Sequence, residues 1–210
     1  MNFTKTIATT LFLMISAVIT AQNTAADLMK STVEKMKNHT SIEASFDYSM
    51  INKEAGIQET QSGTGIMKDN AYRLIFPGQE LISNGTTMWT YMPDNEEVMV
   101  SDAPQDGNAF SPLKMLTTYD DNYSMKFVAN NTSNTKNKTI EMTKKDNDLE
   151  KVIVVFDEAQ QQVSKISVFD ENGNEFVIDI KDITFDKTYS DDYFIFNPKD
   201  YPDVEIIDMR

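Results

Sequence analysis

Residues 81–93 read Leu-Ile-Ser-Asn-Gly-Thr-Thr-Met-Trp-Thr-Tyr-Met-Pro, and this stretch decides the fold. The pair Asn84-Gly85 indicates a tight turn, because Asn and Gly tolerate the positive φ angles that a two-residue hairpin turn needs at both positions. After the turn, Trp89 and Tyr91 stand two residues apart, so a strand would carry both rings on one face. Pro93 has no N–H to donate and is expected to end the pairing. The stretch therefore predicts a β-hairpin with an aromatic second strand.

Alternation of apolar and polar residues continues on both sides of this hairpin. Residues 42–50 alternate with period two, which predicts a strand with one wet and one covered face. Asn172-Gly173 is a second hairpin signal. The strand that follows it, residues 176–185, changes phase by one residue, which predicts a bulge near Lys181-Asp182. These patterns indicate an antiparallel sheet built from consecutive hairpins.

The sheet is expected to curl. About eleven short strands can be counted along the chain, and that many twisted strands close or curl rather than stay open. Gly63 and Gly65 lie inside one of these strands, where glycine marks strong curvature or the close approach of another backbone. The expected outcome is a mainly β (α+β) fold, a barrel or a half-barrel with a helix inside the curve.

Two segments have helical patterns. Residues 25–37 place apolar side chains at helical spacing after Thr24, which can cap the helix. Residues 103–111 form a loop rich in Pro, Gly and Asn, and Ser111-Pro112 then opens a short helix with an apolar stripe. This loop and short apolar helix are expected to interrupt an otherwise all-strand chain.

The N-terminus has the layout of a secretory signal peptide. Lys5 precedes an apolar run over residues 7–19, and Ala21 offers a small residue for cleavage. The alternative is a buried N-terminal helix. We therefore expect a signal peptide over residues 1–21 and a single domain over residues 22–210. The sequence has no Cys, so the exported protein is expected to be free of a Cys-linked lipid anchor.

Composition excludes several classes of function. The formal net charge is −14, which disfavours nucleic acid as a partner and favours a soluble monomer. A chain with a single histidine, His39, is not expected to bind a histidine-based metal, and the interpretation of His39 is a capping or solvated side chain. The 13 Met residues have two readings: gap-filling in a core, which the sequence favours, or an adaptable lining for a flexible apolar ligand.

The order of these features resembles the LolA-like periplasmic lipoprotein carriers. The resemblance rests on the pattern of residues 81–93, on Gly63-x-Gly65, and on the closing run Phe194-Ile195-Phe196-Asn197-Pro198. It covers nearly the whole chain after the signal peptide, and the ending at residues 200–204 is similar to a Bacteroidetes-type branch. The resemblance implies an unclosed antiparallel half-barrel of about eleven strands, wrapped around an N-terminal helix and closed by a short helical lid. Acyl chains of lipoproteins would be held between the barrel and the lid. It also implies an inner-membrane lipoprotein-releasing transporter and an outer-membrane acceptor as partners.

A lipid-binding cavity follows from this resemblance together with the strand patterns. Its lid residues would be Leu113, Met115 and Leu116. The same side chains would also face inward in a sheet that simply packs on its helix, so that alternative stays open. The expected cavity residues are Phe46, Tyr48, Met50, Tyr72, Leu74, Phe76, Trp89, Tyr91, Met99, Met125 and Phe127.

One departure from the family concerns the lid latch. The family has an arginine in the turn after the second strand, whereas the matching turn here begins at Lys68, which cannot reproduce the forked donors of arginine. Either Lys68 substitutes for the arginine or the latch differs. No sequence motif for catalysis occurs, so we expect neither an enzyme nor a cofactor. The alternative function is a periplasmic sensor of the same fold that regulates a membrane protein.

Overall fold

The computed structural model describes residues 24–103, 123–129, 137–144 and 151–210. Within them, one α-helix precedes twelve strands, one more than the approximate count from sequence. Short 3₁₀ turns lie at Pro93–Asn95, Asp191–Phe194 and Pro198–Asp200. The elements are α1 (Ala25–Lys37), β1 (Ile42–Asn52), β2 (Ile57–Lys68), β3 (Ala71–Phe76), β4 (Gln79–Ser83), β5 (Thr87–Met92), β6 (Glu97–Asp102), β7 (Tyr123–Val128), β8 (Asn137–Lys144), β9 (Lys151–Asp157), β10 (Gln162–Phe169), β11 (Asn174–Phe185) and β12 (Glu205–Asp208).

All twelve strands belong to one unclosed sheet. Its order is β12-β6-β5-β4-β3-β2-β1-β11-β10-β9-β8-β7, so β12 and β7 are the two edges. Neighbouring strands pair antiparallel, except that β12 runs parallel to β6. The half-barrel expected from the sequence is therefore confirmed, with a parallel edge strand added.

Helix α1 packs on one face of the sheet, which we call the inner face. Thr24 caps the helix through a reciprocal pair of hydrogen bonds with Asp27, which accounts for the start of the helix at Ala25. Met29 and Val33 are buried on its apolar side. They form a core with side chains of β8, β9 and β10: Ile140, Met142, Val152, Val154, Phe156, Val163, Ile166 and Val168.

The C-terminal segment, residues 186–210, packs on the opposite face, which we call the outer face. Phe194 and Phe196 are 1% and 3% exposed, so the segment is part of the folded core. Phe196 joins Ile82 of β4 and Val98 of β6 in a second core cluster. The segment ends as β12 beside β6, and it therefore connects the β11 side of the sheet to its far edge.

The phase change in the strand after the second hairpin is a bulge, as the sequence predicted. Asp182 lies opposite Ser45, whereas Ile180 lies opposite Phe46, so no residue of β1 lies opposite Lys181 in the strand register. The bulge returns Ile180 and Ile183 to the same inner face.

The Asn84-Gly85 turn differs from the prediction. Gly85 has a φ of +90°, but Asn84 is not among the residues with positive φ, so the prediction of positive φ at both positions was wrong. The connection is longer than two residues, because β4 ends at Ser83 and β5 begins at Thr87. The Asn84 side chain instead accepts hydrogen bonds from the backbone N–H groups of Thr86 and Thr87, at 3.0 and 2.8 Å.

Two expectations fall outside the described residues. One is the signal peptide over residues 1–21, and the other is the lid helix with Leu113, Met115 and Leu116. In the part of the chain that is described, no helix has the length and apolar character needed to span a bilayer.

Candidate functional site

Each strand from β1 to β6 carries apolar side chains on its inner face, and polar side chains such as Gln79, Thr90 and Glu97 stand among them. Residues directly opposite in neighbouring strands share a face, and the register therefore identifies the set from strand to strand. Tyr72 pairs with Met67 on one side and with Ser83 on the other, and Ser83 pairs in turn with Met88. We call this set the inner apolar surface. Its half-buried members are Tyr48, Met50, Met67, Tyr72, Leu74, Phe76, Leu81, Met88, Met92 and Met99.

Glycines let the rings on this surface meet across β2. The Phe46 and Phe76 ring centroids are 5.7 Å apart, although β2 separates their strands. A Cβ at Gly63 would lie 2.9 Å from the Phe76 ring, and one at Gly65 would lie 3.3 Å from the Phe46 ring. The glycines noted in the sequence therefore mark a close approach of side chains over the strand.

Two tyrosine hydroxyls of the inner apolar surface are partly desolvated. Burial raises the pKa of the Tyr48 hydroxyl above its ordinary value. Burial also raises the pKa of Tyr72, although a hydrogen bond with Ser83 lowers it in part. The Tyr72 hydroxyl donates to the Met88 sulfur at 3.4 Å, a weak acceptor. Such a surface favours apolar ligands over charged ones.

The core around α1 is built from β7 to β11 and does not include the inner apolar surface. A narrow apolar cleft, partly open to solvent, lies between the end of α1 and the start of β1. It is lined by Met36, His39, Ile42, Ala44, Ile180, Ile183 and Phe185, among others. The inner face thus has a helix-covered part and a part whose apolar side chains stay partly exposed.

The structure brings most of the predicted cavity residues together. Phe46 is buried at the centre of the inner face, and Met125 and Phe127 lie on the helix-covered half, where Met125 packs against the α1 core. Phe127 lies in edge strand β7 and is 42% exposed. Six others belong to the inner apolar surface: Tyr48, Met50, Tyr72, Leu74, Phe76 and Met99.

Trp89 and Tyr91 are not part of this surface, which corrects the prediction. Trp89 pairs with Ile82 and Val100, so it faces the outer side of the sheet. Tyr91 packs there against the rings of Phe196 and Tyr201, at centroid distances of 5.4 and 4.9 Å. Both faces of β5 are apolar, and the C-terminal segment covers the outer face. Trp89 and Tyr91 therefore anchor this segment.

Lys68 also faces the C-terminal segment. Its ammonium donates to the Tyr189 carbonyl oxygen at 3.0 Å and to Asp191 at 2.6 Å. On β2 it alternates with Met67, which lies on the inner face, and so Lys68 is on the outer one. A role for Lys68 as the lid latch is therefore not supported.

His39 is neither a cap nor a solvated side chain. Its ring stacks on Phe185 with centroids 4.0 Å apart, and its Nδ1 is 2.8 Å from Asp186. The hydrogen bond with His39 is the main cause that holds the pKa of Asp186 below its ordinary value. This pair fastens the end of α1 to the end of β11.

Sequence reasoning missed Met67, Leu81, Met88 and Met92 as inner-face residues. The signal available in the sequence was the number of residues in each hairpin turn, because this number decides which residues of the next strand face inward. If Phe76 faces inward, the two-residue turn Pro77-Gly78 places Gln79 inward, and counting onward through Asn84-Gly85 reaches Met88 rather than Trp89.

The protein is an unclosed half-barrel. A helix covers one part of its inner face, and apolar side chains stay partly exposed on the rest. These features define a class of protein with an internal apolar surface. A sequence model of the family described as "Outer membrane lipoprotein carrier protein LolA" matches residues 37–197. The chain therefore belongs to the LolA family.

Individual relatives agree with this assignment. The chain is 27% identical to an outer-membrane lipoprotein carrier protein of Francisella philomiragia, over 86% of this chain and 93% of the relative. It is 35% identical to one of Shewanella pealeana, over 66% of this chain and 64% of that protein. Among solved structures, an uncharacterized conserved protein from Thermus thermophilus matches with a TM-score of 0.55 at 11% identity, over 87% of this chain and 98% of that one. That last similarity concerns the fold alone.

Proposed function

We propose that this protein is a periplasmic carrier that holds the acyl chains of lipoproteins on the inner apolar surface. It takes them from the inner to the outer membrane. The observation that carries the proposal is the set of ten half-buried apolar side chains on the inner face of β1 to β6. Membership of the LolA family supports it, since the relatives are described as outer-membrane lipoprotein carriers.

The physical reason is the cost of exposing acyl chains to water. Each CH₂ that leaves water contributes about 0.8 kcal/mol, so an acylated protein needs a cover to cross an aqueous compartment. The inner apolar surface offers flexible Met and Leu side chains with aromatic rings between them, a lining that adapts to chains of different conformation. Met125 and Phe127 would extend it along the helix-covered half.

The remaining parts of the proposal concern export and partners. Residues 1–21 would act as a cleaved signal peptide, leaving one domain over residues 22–210. Leu113, Met115 and Leu116 would close the cavity as a lid. An inner-membrane transporter would load the carrier and an outer-membrane acceptor would unload it. In this role the protein is a binding protein rather than an enzyme, and it needs no cofactor.

A matched pair of variants tests the site. Leu74 and Ile75 are adjacent in β3, both half-buried, and they face the inner and outer sides of the sheet. Leu74→Gln and Ile75→Gln therefore lose similar apolar area, but only Leu74→Gln puts an amide against the acyl chains. With a fluorescent tripalmitoylated lipopeptide as probe, we expect roughly tenfold weaker binding for Leu74→Gln alone, because an unpaired buried polar group costs about 1–3 kcal/mol.

Equal loss in both variants would point to general destabilisation, and no loss in either would contradict this site. Mass spectrometry of protein purified from its native periplasm provides a second test. Co-purified lipoprotein is the expected result, whereas a protein that is always empty would favour the regulatory alternative.

A further inference from the structure

The methionines of the first six strands all lie on one face. Strands β1 to β6 contain five, one each in β1, β2 and β6 and two in β5. Met67 pairs with Tyr72, Met88 with Ser83 and Met99 with Thr90, which assigns them to the inner face, and Met50 and Met92 follow by alternation. All five belong to the inner apolar surface: Met50, Met67, Met88, Met92 and Met99.

The outer face of the same strands is apolar too, but with different residues. Ile66, Ile82, Trp89, Val98 and Val100 lie there and carry no thioether. Ile82 and Val98 are 1% and 0% exposed, so that face is a fixed core. Apolar character alone therefore does not account for the placement of methionine on the inner face.

Exposure separates these five methionines from Met29 and Met142 in the helix core, although Met125 at the edge of that core is half-buried too. Met29 and Met142, beneath α1, are 0% and 2% exposed, whereas each of the five is half-buried. The five are therefore more accessible to a small oxidant than Met29 and Met142. The sequence contains no Cys, which would otherwise react ahead of methionine.

We propose that the inner apolar surface is a site of reversible methionine oxidation that switches its affinity for acyl chains; this inference rests on the proposed carrier function. The oxidant is a two-electron oxygen donor such as hypochlorous acid. One oxygen atom passes from HOCl to the thioether sulfur, which loses two electrons. The chlorine gains those electrons and leaves as chloride, and a proton is released. The product, methionine sulfoxide, is returned to the thioether by methionine sulfoxide reductases.

The consequence follows from the polarity of the sulfoxide. Its oxygen is a strong acceptor, and an acyl chain has no donor to offer it. At Met88 the Tyr72 hydroxyl, 3.4 Å from the sulfur, is placed to donate to the new oxygen. Met50 and Met67 have the apolar cross-strand neighbours Phe176 and Ile42, whereas Met92 and Met99 pair with Glu97 and Thr90. Oxidation therefore makes the lining polar where the ligand would cover it.

The experiment compares oxidised wild type with a variant in which all five methionines are replaced by leucine. Leucine keeps the volume and the apolar character but cannot be oxidised in this way. A control variant replaces Met36 and Met209, which lie outside the surface, and keeps the five. The probe is the fluorescent tripalmitoylated lipopeptide, the oxidant is a stoichiometric amount of hypochlorous acid, and peptide mass spectrometry identifies the sulfoxides.

We expect oxidation to weaken probe binding by roughly tenfold or more in the wild type and in the control variant, and to leave the leucine variant unchanged. Treatment of oxidised wild type with sulfoxide reductases should restore binding, which tests the proposal even where the leucine variant does not fold. Unchanged affinity with the five methionines oxidised, equal loss in the leucine variant, or no recovery after reduction would overturn the proposal. If unoxidised wild type does not bind the probe at all, the carrier function itself fails instead.

Discussion

Replacement of Phe196 by alanine tests whether the C-terminal segment is a structural part of the sheet. The ring is 3% exposed. It stacks on Tyr201 at 4.7 Å and packs against Tyr91 at 5.4 Å. Truncation of a buried Phe costs about 3–5 kcal/mol, and the two ring contacts favour the upper part of that range. For a chain of this size we expect the melting temperature to fall by roughly 6–20 °C.

The neighbouring residue supplies the control. Ile195 is 39% exposed, so Ile195→Ala should change stability by less than about 0.5 kcal/mol. Urea denaturation followed by circular dichroism measures both variants. Phe196→Ala should also bind the lipopeptide normally below its melting temperature, because the ring lies on the outer face. Equal stability of the two variants, or a specific loss of probe binding in Phe196→Ala, would refute the assignment of this segment to the outer face.

Three further changes test local features of the fold. Asn84→Ala removes the acceptor of two turn N–H groups and should cost about 1–2 kcal/mol of unfolding free energy, while Asn84→Asp, which keeps the acceptor, should cost less; a thermal melt that ranks them in reverse would contradict the turn geometry. Gly63→Ala would bring a Cβ within 2.9 Å of the Phe76 ring and should destabilise by about 1–3 kcal/mol in chemical denaturation, whereas wild-type stability would show that the ring moves freely. Asp186 has a lowered pKa, mainly through His39, so its contribution to stability is present above its ordinary value of 3.8 and is lost as pH falls through the lower folded value. The stability gap between wild type and Asp186→Asn should therefore shrink below pH 3.8, and a gap independent of pH would argue against the ion pair.

The sequence predicted those features of the fold that depend on local patterns. The bounds of α1 and the bulge at Lys181 each follow from a short stretch read with the period of a helix or a strand. The parallel pairing of β12 was not predicted, because it depends on a connection that crosses the outer face of several strands. No local pattern records such a path.

The candidate site was predicted in part for a similar reason. Strands with alternating polar residues, such as β1, have one possible inner face, and Phe46, Tyr48 and Met50 were assigned correctly to it. In β5 both faces are apolar, so large rings were taken to mark the inner one, whereas Trp89 and Tyr91 pack under the C-terminal segment. Register, rather than side-chain size, decides the face in such a strand.

The central claim is that acyl chains bind on the inner apolar surface, and photo-crosslinking tests it most directly. A lipopeptide with a photoactivatable group midway along one acyl chain is bound, irradiated and mapped by peptide mass spectrometry. The account predicts crosslinks to inner-face residues such as Tyr48, Leu74 and Met99, and few to Trp89 or Tyr91. Crosslinks concentrated on Trp89, Tyr91 and the C-terminal segment would contradict it.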